Sequence, residues 1–573
     1  MKKILFCTAL VAAFSLTGCS LDETPKSDFL ESDAFQSSKL IYLNTVANVY
    51  SNIDNQLIGV PLSSVFTLQE YSSDATMQPG RGGDWVDGGK WQNIFLHNFD
   101  PSVDVYANIW NYLYKMVGLC NTSIDKLNEY KATNADAEIY IYELRALRAY
   151  YYYNLMDLYA QVPVVTSSQL SLKDVNQSNR SEVFKFVVEE LEDCLPHLSD
   201  AKSQNTGEYY GRVTKAVAYM CLAKCAINSP VYTIDNTSKT SYQAFVGDDK
   251  SKACVASETK GEAISALGKS ILIKVDGESR NAWNTVLYCV GQIKSLGYDL
   301  ELKYENNFVV TNENSVENIF TRPSDDVVYK VTNLMRGYSI HYQHGSAMGS
   351  FGANGFCATV KQMNTMHYGE PDQDPRITPN YYTGTDYVED TGKLVDDGAT
   401  DQGLSYEPLA PLVDFGAGSD AHKLKCSGAR YKKYEVDKNT TNQTNPNNDI
   451  VLWRYADALL LKAEAEYRLG DKGAARSDLN VVRTRCGANP QETISLNIIL
   501  NERACEFPWE AMRRQDQIRF ATFTQPTVDR YKGVPKSSSA SDFFDDTEGF
   551  TNVYPIPTTV LNLNKKLIQN PGY

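Results

Sequence analysis

Leu144-Arg145-Ala146-Leu147-Arg148-Ala149-Tyr150-Tyr151-Tyr152-Tyr153-Asn154-Leu155-Met156-Asp157-Leu158-Tyr159 is the stretch that decides the fold class. Leu144, Leu147, Tyr151, Leu155 and Leu158 recur at spacings of 3, 4, 4 and 3, one apolar stripe along a helix over 136–161. The pattern stops before Pro163, and Pro163-Val164-Val165 reads as a short extended piece. Upstream, Ile109, Tyr112, Met116, Leu119, Ile124 and Leu127 give a partner helix over about 104–129. Downstream come Ser181–Leu198, with Ser181 as a candidate N-cap, and an Ala-rich helix Val213–Asn228. In the latter, Cys221 and Cys225 lie one turn apart and read as core packing. Trp283 opens another helix that runs to Leu296 and ends at Gly297.

The pairing is plainest near the C-terminus. Leu452, Tyr455, Leu459 and Ala463 line one helix ending at Gly470-Asp471. Ala474–Arg485 makes its partner, with Ala475, Leu479 and Val482 inward and Gly487 as C-cap. A third helix runs from Ile494 through Glu502-Arg503 and resumes over Glu510–Phe520. Small residues where helices cross, joined by short glycine turns, mark tetratricopeptide-like hairpins, so the fold class is mainly α. Residues 229–280 and 321–450 lack periodicity and are rich in Gly, Asn, Asp, Thr and Tyr. Such long insertions are expected to form a loop-rich functional face, with short strands such as Tyr431–Val436.

A chain of 573 residues is too long for one ordinary core, and 42% hydrophobic with 22% charged residues is a globular composition. Lys plus Arg number 55 against 70 Asp plus Glu, a net charge of −15 with no basic tract. That balance repels phosphate and argues against nucleic acid as a partner. The N-terminus carries Lys2 and Lys3, then 13 mostly apolar residues from Ile4 to Leu16, a secretory segment too short to span a bilayer. It closes on Leu16-Thr17-Gly18-Cys19, a lipobox, so Cys19 is expected to carry lipid and anchor the mature chain to a membrane. Loss of residues 1–18 removes two lysines and takes the charge to −17. Ser20, not Asp, follows the cysteine, so nothing argues for inner-membrane retention, and Asp22 and Glu23 close to the lipid suit an outer-membrane location.

The lipobox followed by Leu21-Asp22-Glu23-Thr24-Pro25 resembles the start of SusD/RagB-type lipoproteins. The same family is suggested by the 144–152 stretch with Leu158-Tyr159 and Val162–Val165, and by Gly211-Arg212-Val213-Thr214-Lys215-Ala216. Arg454-Tyr455-Ala456-Asp457, Glu464-Ala465, Leu479-Asn480, Glu502-Arg503 with Arg513 and Asp516, Tyr554–Pro557 and Gln569–Tyr573 complete the series in order. Ala160-Gln161 and Pro508-Trp509 depart from it at scaffold positions.

The resemblance implies a tetratricopeptide-like scaffold under a variable loop-rich face. It also implies a surface-exposed outer-membrane lipoprotein that captures glycan and delivers it to a SusC-like TonB-dependent barrel, without catalysis or cofactor. A peptide-binding import lipoprotein is the alternative, and a surface glycoside hydrolase a remote one. The organisation expected is a signal peptide over 1–18, a helical N-terminal region over 19–230, a loop-rich region over 231–450 and a helical C-terminal region over 451–573.

Catalytic motifs are missing from the sequence itself: there is no GxxxxGK[ST], HExxH or GxSxG, and no CxxC pair for zinc. His341 and His344 could share a metal but lack an obvious third ligand, and Asp396-Asp397-Gly398 with Asp401 fits no EF-hand. Neither is read as a metal site.

Ligand residues vary within such a family, so they are sought from chemistry. Sugars present flat C–H faces to aromatic rings and hydroxyls to polar groups. Two segments supply both. Gln78–Trp85 continuing to Trp91-Gln92-Asn93 gives Arg81, Asp84, Trp85, Trp91 and Asn93, with Trp85 and Trp91 as an aromatic platform. Arg336–Tyr342, followed by Phe351 and Asn354-Gly355-Phe356, gives Tyr338, His341 and Tyr342, with the two tyrosines as a second wall. Trp110, Trp283, Trp453 and Trp509 sit in helix-like patterns and are assigned to the scaffold.

Overall fold

The computed structural model describes residue 35 and residues 37–573, except 55–56, 58–61, 171–172, 174, 328–329, 332, 386–391, 397–402, 411–412, 416–419 and 441–444. Cys19 with its lipobox, and Asp397, Gly398 and Asp401, lie outside the described residues.

The architecture grows from a hairpin of two long helices, Asp104–Tyr130 and Asp136–Tyr159, joined by five residues. Ile109, Met116 and Leu127 on the first face Leu144, Leu147 and Leu155 on the second, all buried. Tyrosines do much of the packing: Tyr112 meets Tyr151 edge-on at 6.5 Å and Tyr114 meets Tyr152 at 6.4 Å. Their hydroxyls reach past the helices. Tyr114 donates to the Pro163 carbonyl at 2.7 Å and Tyr152 to that of Val165 at 3.0 Å, pinning the extended 163–165 segment along the hairpin.

Helix Arg180–Cys194 packs next, opened by a capping box between Asn179 and Glu182. The expected cap Ser181 is instead inside the first turn, because Asn179 brings its own reciprocal acceptor three residues later. Helices Lys215–Ile227, Ala282–Ser295 and Tyr455–Leu469 pack together, locked by Lys224 Nζ on Asp457 at 2.7 Å. Tyr455–Leu469 turns at Gly470, φ 104°, into Lys472–Arg485, whose first turn is capped by Asp471. Helices Leu496–Glu506 and Arg513–Arg519 follow.

Two departures from the sequence reading are instructive. Leu452–Arg454, read as the start of a helix, belongs to a strand, Ile450–Arg454, paired antiparallel with Asn318–Arg322. All five of its residues are buried, and the four apolar residues that precede Arg454 are a run too short and uniform to show a period by which strand and helix can be told apart. Trp453 is therefore on a strand, and Trp509 in a turn with φ 64°; both are still core. Residues 229–280 also hold more order than their composition suggests: helix Glu258–Ser270, then a hairpin of Leu272–Val275 with Glu278–Asn281. In the second insertion the expected strand at Tyr431–Val436 is only Arg430–Tyr431, paired with Tyr381–Tyr382.

Between the C-terminal hairpins and the second insertion lies a buried ionic cluster. Glu506 accepts from Arg454 at 2.6 Å and Arg376 at 2.8 Å and also pairs with Arg485. Arg454 and Arg485 share Glu317 as well, at 2.7 and 2.8 Å. Burial opposes ionisation of Glu506, but Arg485, Arg454 and Arg376 outweigh it and hold the carboxyl well below its usual range. The cluster thereby ties the loop-rich insertion to the helical scaffold. The ten described cysteines are reduced, nine of them buried. Among the described residues no helix is long and apolar enough to cross a membrane.

Candidate functional site

Two short pairings bring the two sequence segments to one face. Thr76–Met77 pairs antiparallel with Cys357–Ala358, and Gly80–Arg81 pairs in parallel with 414–415. Arg81 is the bolt between them. Its guanidinium donates to the carbonyls of Gly355 at 3.0 Å, Leu424 at 2.9 Å and Ser427 at 3.3 Å, and to Ser427 Oγ at 2.8 Å. Burial, with Arg430 nearby, pulls its pKa down to about 9. Only 5% of Arg81 is exposed, so the expected ligand contact is a structural clamp.

Segment 335–356 folds back on itself. Ala353 N donates to Gly337 O at 2.7 Å, Asn354 N to Ile340 O and Gly355 N to Tyr338 O, each at 2.8 Å. The closeness of these strands of chain is what the glycines serve. A Cβ at 337 would lie 2.4 Å from the Phe351 ring, and one at 355 would lie 2.4 Å from Tyr338 O and 3.2 Å from the Trp85 indole. Trp85, itself at φ 59°, donates its indole N–H to Ala353 O at 2.9 Å.

The result is a ridge of three aromatic rings. Trp85 meets Tyr338 edge-on at 5.9 Å, and Tyr338 meets Phe351 edge-on at 5.4 Å. Trp85 and Tyr338 are half-buried and Phe351 is 36% exposed. Tyr342 is 46% exposed, and Gly352 sits against its backbone, where a Cβ would come within 2.8 Å of Tyr342 Cα. Asp84 is exposed beside Trp85.

Other expectations do not hold. Trp91 is 3% exposed and packs edge-on against Tyr71 at 6.1 Å, its indole donating to Asp87 at 2.6 Å. It begins a short helix, Lys90–Phe95, whose inner face is core, so it is not half of a platform. Asn93 accepts from Ser541 N at 2.9 Å and fastens that helix to the C-terminal loop. His341 is fully buried and its Nδ1 accepts from Gln343 N at 3.2 Å, capping helix Tyr342–Ala347. Burial, then Arg430 and Lys425, pushes its pKa down to about 3, so it is neutral. His344 turns to the Tyr406 hydroxyl at 3.2 Å, and among the described residues no cluster of three metal-ligating groups occurs. Phe351 is the ring the sequence reading undervalued; its signal was Gly337, which has no reason to be glycine except a large neighbour.

Residues 358–573 match the model of the SusD family, and residues 21–227 match a second family described as starch-binding, associating with outer membrane. The starch-binding protein SusD of Bacteroides thetaiotaomicron is 23% identical over 457 residues, covering 75% of this chain and 72% of that protein. A SusD-like protein of Formosa agariphila is 23% identical over 446 residues, 75% of each chain. Among solved structures, surface glycan-binding protein A from Bacteroides thetaiotaomicron in complex with laminarihexaose superposes with a TM-score of 0.63 at 18% identity, over 93% of this chain and 99% of that one. The corresponding protein from Bacteroides uniformis gives 0.65 at 19% identity, over 93% and 99%. At such identities the structural likeness is one of fold.

Proposed function

Because the chain belongs to the SusD family, we propose that it is a non-catalytic outer-membrane lipoprotein that captures glycan on its loop-rich face. Cys19 carries the lipid, and a SusC-like TonB-dependent barrel receives the cargo. Relatives named as starch-binding and glycan-binding proteins support the ligand class and the binding role. Family membership supports the barrel, and the lipobox supports the anchor.

The observation that carries the reading is the ridge of Trp85, Tyr338 and Phe351. Trp85 meets two further rings, Tyr338 and Phe351, carried on a segment that packs closely at Gly337 and Gly355, and all three reach the surface in part. Each ring that takes a sugar face contributes about 0.5–1.5 kcal/mol beyond area burial. Three such contacts give affinities of roughly micromolar to millimolar order, suited to a protein that must release its cargo. Electrophoresis of the mature protein through gels containing soluble glycans tests the class: retardation by at least one glycan is expected, and free migration in all of them refutes it. Mild detergent extraction from the native host should bring down a large barrel protein, and recovery of the lipoprotein alone would count against the partner.

A further inference from the structure

A cleft that shares no residue with the ridge holds about 430 Å³, within the range of small-ligand pockets, and is lined among others by Tyr50, Tyr210, Glu208, Arg322 and Lys330. Its walls come from helices Ser38–Asn44 and Val46–Ser51, from the loop 207–212 and from the chain leaving strand Asn318–Arg322. Gly211 joins two of these walls. At φ 72° it packs so close to Pro323 that a Cβ would lie 2.3 Å from the proline Cδ, and that packing seats Tyr210 and Arg322 in one cleft.

What the cleft presents follows from which groups are already committed. Tyr50 and Tyr210 are half-buried. The Tyr50 hydroxyl accepts from Val213 N at 2.8 Å, and the Tyr210 hydroxyl donates to Asp449 at 2.7 Å. Their polar ends are turned into the protein, so the surface they show to the cleft is ring. Arg212 also lines it but is spoken for: its Nε donates to Glu143 at 2.8 Å, and its guanidinium lies 4.8 Å from the centre of the Tyr42 ring. Arg322 has no such pair. Its Nε donates to Ile53 O at 2.7 Å and its Nη1 to Pro323 O at 2.8 Å, both neutral acceptors. Its Nη2 makes no hydrogen bond among the described residues and is not sealed from solvent. Asp449 and Asp54 act on Arg322 only from farther off, and burial pulls its pKa below the usual value. Lys330 is exposed and makes no ion pair among the described residues. Against these two cations stands one carboxylate, Glu208, which is exposed. The cleft is thus locally positive on a chain of net charge −15, and a partly buried guanidinium without a counterion is costly.

We propose that this cleft is a second glycan subsite, taking an acidic sugar residue whose ring packs on tyrosine and whose anionic group pairs with Arg322. The inference rests on the glycan-capture reading above and adds to it a site of different charge preference. A sugar's flat C–H face suits the tyrosine rings. A carboxylate or sulfate ester supplies the counterion that Arg322 lacks, and Glu208 accepts from a sugar hydroxyl. A neutral residue makes the ring contact and leaves Arg322 without its pair. Hydrogen bonds to charged groups are strong enough to make that a difference of at least about tenfold in affinity.

The test titrates the mature chain by calorimetry with acidic oligosaccharides, each against its neutral twin. Oligogalacturonate and oligomannuronate are set against their carboxyl-reduced forms, and a sulfated galactan oligomer against its desulfated form. At least one acidic member should bind at least about tenfold more tightly than its twin, and the pair that shows it names the anionic group. Arg322→Gln should weaken that binding at least about fivefold and leave retardation by neutral glycans in gels unchanged. Lys330→Glu, a surface change, serves by the same criterion if Arg322→Gln does not fold, as judged by its melting curve. The inference is overturned if no pair reaches that preference, or if the folded variant keeps acidic binding within about fivefold of native. The Trp85→Ala, Phe351→Ala ridge variant should keep acidic binding; its loss there moves the acidic residue to the ridge and overturns the cleft as its site. Retardation by neutral glycans with no acidic preference strikes the cleft alone, whereas no binding of any glycan, acidic or neutral, strikes the capture reading with it.

Discussion

Replacing Glu506 by Ala should be among the most damaging single changes in this protein. Its carboxylate is fully buried and is shared by Arg376, Arg454 and Arg485. Those three side chains come from the loop-rich insertion, from strand Ile450–Arg454 and from helix Lys472–Arg485, so the residue joins three regions. Glu317, Asp374, Glu502 and Glu510 remain as partners of these guanidiniums, Glu317 and Glu510 at 2.7 and 2.9 Å from Arg454, Asp374 and Glu502 at 2.6 and 2.7 Å from Arg376. Removing the hub takes one charge-assisted hydrogen bond from each of three buried guanidiniums, out of reach of replacement by water, and leaves Arg485 with Glu317 alone. Breaking a buried ion pair from one side costs about 3–5 kcal/mol, a large part of a total stability of about 5–15 kcal/mol. Urea unfolding followed by circular dichroism measures it. A paired control is Glu129→Ala: Glu129 meets Lys126 at 2.8 Å but is 61% exposed, so its loss should cost about 0.5 kcal/mol or less. If Glu506→Ala costs under about 1 kcal/mol, or no more than the control, the cluster is not the tie described.

Trp91→Ala should destabilise by about 3–5 kcal/mol as a core truncation, whereas Trp85→Ala should change the melting curve little; the two curves compared side by side decide which indole is core. Glu70 and Asp449 should add a component of stability that falls as pH rises from about 5 to 7, opposed over the same range by the buried, neutral His97 and His341, whose pKa values burial depresses. Burial lifts the carboxyls of Glu70 and Asp449 to about 7, from usual values of 4.5 and 3.8. The folded state therefore keeps protons the unfolded chain has lost, an advantage complete below those usual values and gone above pH 7. Glu70→Gln should flatten part of that slope in thermal melts across pH, and an unchanged slope would remove Glu70 from the explanation. Cys19→Ala should leave the protein out of the membrane fraction after cell lysis, and retention there would contradict lipid anchoring at that residue.

How much was legible in the sequence follows from where energy is local. The helices over 104–129, 136–161 and 474–485 were readable within a few residues, because amphipathic helices of three turns or more print their period in the chain. Strand Ile450–Arg454 was not, since its partner lies more than a hundred residues away and its run is apolar on both faces. In the candidate site, the two segments were found, and Trp85 with Tyr338 came together as a contact. The roles of Arg81, Trp91, Asn93 and His341 were misjudged for one reason: a glycine-rich stretch looks like exposed loop, yet here it is glycine-rich because chain packs on chain. Side chains within it become clamps and caps. Exposure of Arg81 depends on distant Leu424 and Ser427 closing over it, and that is a tertiary fact.

The measurement that bears most directly on glycan capture by the ridge is a calorimetric titration of the native protein and the Trp85→Ala, Phe351→Ala double variant. The titrant is the glycan that retards the native protein most in gels. Two lost stacking contacts amount to about 1–3 kcal/mol beyond area burial, so affinity should drop at least about fivefold while the melting temperature stays close to native. An affinity within twofold of native in a folded double variant would place the binding surface elsewhere and contradict the account.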